Sequence, residues 1–317
     1  MARTGQKAAQ ASRQARAVAV RQAAEREPRR RRQWGGVATV VAGVVLIAGA
    51  IVVVAATSGR RGDAGGGTTT NGPVVGGDLH ALAALGGGVF VSGHGGAGVS
   101  SDGGRTWRQL PTLDDKDGMG WAMSGSQTLV GGHGGLYRSS DGIAFDPVEG
   151  LPVSDIHGLG AAGRTVYIAS PQGGVFASDD GGRTWQARGQ AGSSIMGSIL
   201  VDAADPRRLI APDMSSGVVA STDGGTTWRP LGGPAGAVSV DRDPRDPRRL
   251  VAVGMNGAQR SSDGGATWTA FPVPAGTTAV AFVPGPSVTL LAAALDGDRA
   301  KVFTSHDDGL QWAPTDS

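Results

Sequence analysis

Residues 64–317 of this chain hold all five histidines and five of its six methionines, and eight of those ten residues fall in two recurring positions. The first position reads Asp78-Leu79-His80, Asp117-Gly118-Met119, Asp155-Ile156-His157 and Ser194-Ile195-Met196. The second holds His94, His133, Gln172 and Met255, each eight residues ahead of a recurring aspartate, with Met214 displaced by one. Imidazole with thioether is a metal-ligating set, and methionine in particular selects copper(I). Zinc would use the histidines and carboxylates and leave the methionines unexplained. Asp78 and Asp155 stand two residues before a histidine, on the same face of an extended strand, where a carboxylate can orient the ring or ligate directly. The metal reading therefore takes in His80, His94, Met119, His133, His157, Met196, Met214, Met255, Asp78 and Asp155, with copper as the ion. Two other readings fit the same residues. They line a channel as packing and hydrogen-bonded polar fill, or they face an organic ligand. Met123 and His306 lie outside both positions and carry no role.

Something must bring positions so far apart in sequence together, and a repeat supplies it. The octapeptide Ser100 to Trp107, Ser-Ser-Asp-Gly-Gly-Arg-Thr-Trp, returns at Ser178, Ser221 and Ser261, and in worn form at Ser139 to Phe145 and Ser305 to Trp312. Its aspartates Asp102, Asp141, Asp180, Asp223, Asp263 and Asp307 are 39, 39, 43, 40 and 44 residues apart. A period near 40 with short apolar runs and glycine turns points to propeller blades or a solenoid. Asp-Gly-Gly is turn chemistry: the carboxylate accepts from nearby N–H groups and glycine supplies positive φ. Thr-Trp then starts the next strand with a β-branched residue and a large ring. Four strands fit into the first repeat, Leu79 to Leu85, Val89 to Ser92, Gly98 to Ser101 and Thr106 to Leu110. In the fourth they fit at Ile195 to Val201, Leu209 to Ala211, Val218 to Ser221 and Thr227 to Leu231. The expectation is an all-β, six-bladed propeller of four-stranded antiparallel blades over 76–317, latched from the N-terminal side by Pro73 to Gly76. The two recurring positions, at the start of the innermost strand and in the turn between second and third strands, then open on one face around the channel mouth. Asp205-Pro206-Arg207-Arg208 and Asp246-Pro247-Arg248-Arg249 read as type I turns whose arginines form a solvated rim.

The motif Ser-x-Asp-Gly-Gly-x-Thr-Trp resembles the Asp-box, or BNR repeat, of sialidases, sortilin-type propellers and photosystem-assembly propellers, over roughly 76–317. The resemblance implies that the six box aspartates are scaffold, lying away from the channel. It also raises a sialidase-like glycoside hydrolase, which in that family uses an arginine cluster and a tyrosine nucleophile activated by glutamate. Beyond residue 62 the chain has one glutamate, Glu149, and the tyrosines Tyr137 and Tyr167, none of them expected at the channel mouth. The likeness therefore covers the fold and stops short of the catalytic residues. Inverting hydrolysis by a pair such as Asp78 and Asp155 stays as an enzymatic alternative, and no nucleophile-elbow motif supports Ser-His-Asp chemistry. The family's scaffolds suggest a further alternative, an assembly propeller that binds an extracytoplasmic protein partner.

Composition bounds the setting. The chain has no cysteine, so neither disulfides nor a thiol nucleophile exist. Residues 1–62 carry 12 Lys+Arg against Glu25 and Glu27, whereas residues 63–317 carry 17 against 25 acidic residues. An acidic main domain argues against nucleic acid. Residues 35–57 are free of charge and long enough to cross a bilayer as a helix. Arg29 to Arg32 and Trp34 precede them, which places the N-terminus in the cytoplasm. The expected organisation is a basic cytoplasmic tail at 1–33, a retained single transmembrane helix at 34–58, a flexible Gly/Thr linker at 59–75 and an extracytoplasmic propeller.

Overall fold

The computed structural model describes residue 69 and residues 71–316. The expected tail at 1–33, the membrane span at 34–58 and most of the linker lie outside the described residues. Among the described residues no helix is long and apolar enough to cross a membrane.

Six sheets follow one another along the chain, each built on four antiparallel strands consecutive in sequence, and the third carries a short fifth strand, Gly197–Ser198, in parallel. Blade 1 comprises Leu79–Leu85, Gly88–Gly93, Gly96–Ser100 and Arg108–Gln109, and blade 2 Gly120–Ser124, Gln127–Gly132, Gly135–Ser139 and Asp146–Pro147. Blade 3 comprises Gly158–Ala162, Thr165–Ser170, Gly174–Ser178 and Gln186–Gly189, and blade 4 Leu200–Val201, Leu209–Asp213, Gly217–Ser221 and Arg229–Gly232. Blade 5 comprises Ser239–Arg242, Leu250–Gly254, Gly257–Ser261 and Thr269–Phe271, and blade 6 Thr277–Phe282, Leu290–Asp296, Arg299–Ser305 and Ala313–Pro314.

Strand alternation turns these sheets into a ring. Successive side chains point to opposite faces, so each blade feeds two cores. In blade 1, Leu82, Val89 and Val91 join Ala279, Ala281 and Leu291 of blade 6. Their sequence neighbours Ala81, Ala83 and Phe90 join Trp121, Val130 and Phe145 of blade 2. The pattern continues between blades 2 and 3, 3 and 4, 4 and 5, and 5 and 6. Six inter-blade cores close the circle, which is why the middle strands are buried on both faces.

The recurring aspartates sit in the turn between third and fourth strands, as expected. In blade 4, the Ser221 hydroxyl donates to Asp223 Oδ1 at 2.8 Å and accepts from Gly225 N–H at 2.9 Å. Asp223 accepts the Thr227 N–H at 2.9 Å and its hydroxyl at 2.6 Å. The Thr227 hydroxyl and N–H hold Asp223 at about 2. The same bonds recur at Asp102, Asp180 and Asp263. In the worn copies, Asp141 accepts from Ile143 and Ala144 N–H and Asp307 from Gln311 N–H.

Three expectations need correction or completion. Ile195 to Val201 is not one strand of blade 4. Gly197–Ser198 pairs in parallel with Gly158 and Leu159 of blade 3, and only Leu200–Val201 joins blade 4. Gly197, at φ +71°, makes the break, and a Cβ there would meet Val238 O of blade 5 at 2.7 Å. Of the two expected rim arginines of blade 5, Arg248 is exposed but Arg249 is not free. Asp243 is buried, and a buried carboxylate must be paired; Arg245 and Arg249 reach its Oδ2 at 2.6 and 2.9 Å. Arg249 also contacts Asp308 of blade 6. The turn bonds themselves form, Arg208 N–H to Asp205 O and Arg249 N–H to Asp246 O, both at 2.9 Å. Finally, the latch includes bonds to blade 6: Val75 and Gly76 N–H donate to Asp298 O at 2.9 and 3.0 Å, and Ala300 N–H to Pro73 O at 3.0 Å.

Candidate metal centre

Backbone bonds between neighbouring blades assemble the centre. The turn after the second strand of one blade bonds to the segment that leads into the next. Gly118 N–H donates to Gly93 O at 3.2 Å, Gly134 N–H to Ser154 O at 2.9 Å and Ile156 N–H to Gly132 O at 3.2 Å. The approach is so close that a Cβ on Gly118, entering blade 2, would lie 2.6 Å from Ser92 Cβ of blade 1. Each turn histidine therefore meets the aspartate of the following blade: His94 meets Asp117, and His133 meets Asp155. A bulge aids this geometry. Leu79 pairs with Gly93 and Ala81 with Ser92, so His80 is the extra residue in its strand, and such bulges re-aim a side chain.

The result is a row of four imidazoles and three carboxylates. His80 Nε2 lies 3.0 Å from His94 Nδ1 and 3.2 Å from Asp117 Oδ1. His94 Nδ1 is 3.9 Å from Asp78 Oδ2, and its Nε2 is 3.6 Å from Asp117 Oδ2. His133 Nδ1 is in direct contact with Asp117 Oδ2, while its Nε2 lies 2.9 Å from His157 Nε2 and 3.2 Å from Asp155 Oδ1. His157 Nε2 is 3.0 Å from the same Asp155 oxygen. Three overlapping sets, Asp78-His80-His94, His94-Asp117-His133 and His133-Asp155-His157, each keep their donor atoms within 4.8 Å of one another.

Electrostatics prepares these donors. The Asp117 side chain is 6% exposed, and neither carboxylate oxygen accepts a well-formed hydrogen bond. Burial pushes Asp117 up, but His80, His94 and His133 together hold it below the ordinary carboxylate value. Burial lowers His157, outweighing the nearby Asp155, and so favours the neutral ring that a metal requires. Gln172, which fills the turn position in blade 3, donates to Asp155 Oδ2 at 2.7 Å and accepts from the Ser170 hydroxyl at 3.0 Å. That leaves Asp155 Oδ1 facing the two histidines without a hydrogen-bond partner.

His80, His94, His133, His157, Asp78 and Asp155 thus converge as the sequence suggested. Asp117 is the member of the row that sequence reasoning passed over, although it holds the same slot as Asp78 and Asp155. The methionines differ. Met119 is 2% exposed, inside the protein, whereas Met214 and Met255 on blades 4 and 5 are 46% and 80% exposed. Met196 leads into the Gly197 break, its N–H donating to Pro212 O at 3.1 Å. The donors that converge on one another are therefore nitrogen and oxygen from blades 1 to 3. Tyr167 is buried in the core between blades 3 and 4, Tyr137 packs on that between blades 1 and 2, and Glu149 is exposed. None stands among the histidines.

Beside the centre the ring's axis is obstructed. Gly197 N–H donates to His157 O at 2.8 Å, and a Cβ on Gly120 of blade 2 would meet Gly197 O at 2.8 Å. A cavity of about 310 Å³ also lies on the axis, lined by first-strand residues of all six blades, among them Leu82, Trp121, Leu200, Asp241 and Phe282. Burial pushes Asp241 in this cavity up to about 6, against donation from Phe282 and Arg242 N–H.

No protein-family model matches the chain, and no curated protein is significantly similar to it in sequence. Solved structures do match. The GH74 xyloglucanase of Xanthomonas campestris aligns with a TM-score of 0.53 at 17% identity, over 79% of this chain and 47% of that one. YCF48 bound to D1 peptide aligns at 0.51 and 17% identity, over 78% and 84%. A chain of the nidogen/laminin complex aligns at 0.52 and 14% identity, over 72% and 89%. The described chain spans less than half of the xyloglucanase. Identities this low establish the fold, and with the six blades they place the chain among β-propellers.

Proposed function

We propose that this chain is a binding propeller that holds a transition-metal ion at the axial end of blades 1 to 3. The observation that carries the reading is the convergence of four imidazoles and three carboxylates around Asp117, a buried carboxylate with no ordinary hydrogen-bond partner. Two donors bound at about 2.0–2.1 Å to one ion, at angles between 90° and 109°, are separated by about 2.9–3.4 Å. The His80–His94 and His133–His157 nitrogen pairs, at 3.0 and 2.9 Å, lie in that range. Imidazole with carboxylate suits zinc or copper(II); the argument for copper(I) rested on methionines, and two of those lie open on other blades. The likeness to Asp-box propellers agrees with the bonded box turns, and the apolar segment 34–58 would anchor the propeller outside the cytoplasm. The chain binds rather than turns over, since Tyr167 and Glu149 stand outside the histidine row and Tyr137 packs on the core between blades 1 and 2. Elemental analysis of the full-length protein after incubation with zinc and copper(II), followed by gel filtration, tests this: at least one ion per chain is expected, and none would end the metal reading.

Protein docking is the second reading. Its support is Met255 and Leu310, large apolar side chains 80% and 75% exposed.

A further inference from the structure

We propose that the centre holds two metal ions, one on each side of Asp117, and that this one carboxylate sets the tautomers of the histidines that bind both. The proposal rests on the metal reading above. A neutral imidazole has one N–H and one lone pair. His94 and His133 each turn one ring nitrogen towards Asp117 Oδ2, His94 through Nε2 at 3.6 Å and His133 through Nδ1 in direct contact. An anionic carboxylate only accepts, so it draws the N–H to His133 Nδ1 by contact and favours it on His94 Nε2 by charge alone across 3.6 Å. His80 Nε2, 3.2 Å from Oδ1, instead shares an ion with that oxygen as a co-ligand. The lone pairs are then left on His94 Nδ1 and His133 Nε2, which face away from Asp117 on opposite sides. Each of those nitrogens already meets a second imidazole nitrogen, that of His80 at 3.0 Å and that of His157 at 2.9 Å.

The two outer sets share no donor atom. The first consists of His80 Nε2, His94 Nδ1 and Asp78, with Asp117 Oδ1 in reach at 3.2 Å from His80 Nε2. The second consists of His133 Nε2, His157 Nε2 and Asp155 Oδ1, whose other oxygen is held by Gln172. The middle set cannot hold an ion of its own, because His133 Nδ1 and Asp117 Oδ2 touch directly and leave no room between them. Four donors on the first side and three on the second imply stepwise filling, the first ion binding more tightly and the second keeping a position for water. Outer carboxylates that fix a ligand histidine are worth roughly 10–100-fold in affinity, and here one residue serves both ions.

Zinc chloride titrated into the full-length protein, read by calorimetry and elemental analysis, tests the stoichiometry. Two zinc ions per chain are expected. Asp78→Ala with His80→Ala should leave one, Asp155→Ala with His157→Ala should also leave one, and Asp117→Asn should weaken both by about 10–100-fold. One zinc in the unaltered protein, abolished by either pair of substitutions, overturns the two-ion arrangement and leaves the single-ion reading standing; no zinc at all removes both. A measurement without variants guards against misfolding. Copper(II) at two equivalents should give an electron paramagnetic resonance spectrum broadened by coupling between neighbouring ions, and an uncoupled signal at full loading overturns the pair.

Discussion

In blades 1 to 3 the two recurring positions hold Asp78, His80, His94, Asp117, Met119, His133, Asp155, His157 and Gln172; in blades 4 and 5 they hold Ser194, Met196, Met214 and Met255. The backbone around them is alike, since in both halves these residues precede or begin an innermost strand or cap the hairpin between second and third strands. In both halves the hairpin bonds back to the entry of its own blade, His94 N–H donating to Asp78 O at 3.3 Å, Met214 N–H to Ser194 O at 3.0 Å and Met255 N–H to Ala235 O at 3.0 Å. The scaffold therefore offers such positions all round the ring, and chemistry depends only on which side chains fill them. One half gathers buried charge and imidazole. The other leaves two thioethers in solvent.

The sharpest way to break this contrast is to empty the polar half. His80→Ala with His157→Ala takes one nitrogen from each outer set and should abolish stoichiometric zinc binding in calorimetry, while the far-ultraviolet dichroism of the blades is retained. Retained binding would show that the row is only lining. Acidification should come next in size. Ligand imidazoles must be neutral, so metal affinity should fall as pH drops. His157, lowered by burial, charges later than the unfolded chain does. Its contribution to stability is therefore present above about pH 6.5 and is lost as pH falls from there towards the lower folded value, which thermal melts of the metal-free protein between pH 7.5 and 5 would follow.

Asp223→Ala tests the division between scaffold and site. Removing the acceptor of the Thr227 bonds should cost about 1–3 kcal/mol in denaturant melts and leave zinc affinity unchanged. A loss of binding in the folded variant would tie the box turns to the centre. The smallest effect belongs to the other half: Met214→Ser with Met255→Ser should leave both zinc and copper(II) affinity within about twofold, and a larger drop would return thioether to the ligand set.

Much of this was legible in the residues. A motif repeating near every 40 residues, with a turn whose bonds are local, spells out blades because each copy folds by the same short-range chemistry. The histidine positions emerged once the copies were aligned. What sequence order hid was the pairing across blades. The spacing matches Asp78 and Asp155 to the histidines two residues on, whereas the turn histidines also reach the aspartate of the following blade, His94 to Asp117 at 3.6 Å and His133 to Asp155 at 3.2 Å. Inter-blade hydrogen bonds set these contacts, and no spacing within a repeat reveals them. Asp117 was overlooked for the same reason, since within its own strand it precedes a methionine. The split of Ile195 to Val201 was hidden by its apolar composition, which suits a strand in either blade; Gly197 was the available hint.

Each blade draws its four strands from one unbroken stretch of chain, and the seam between blades 6 and 1 is closed by side-chain packing and by the bonds of Pro73 to Gly76, with no strand exchanged between blades 1 and 6 among the described residues. Asn71 and Thr315 border the same shallow groove. Covalent order and ring order are consequently separable: joining those neighbouring ends and reopening the backbone in another inter-blade loop would give a circular permutant with the same six interfaces. By the same logic, whole blades can be gained or lost by duplication without unpicking a neighbour, and a binding centre confined to three consecutive blades could travel as a unit.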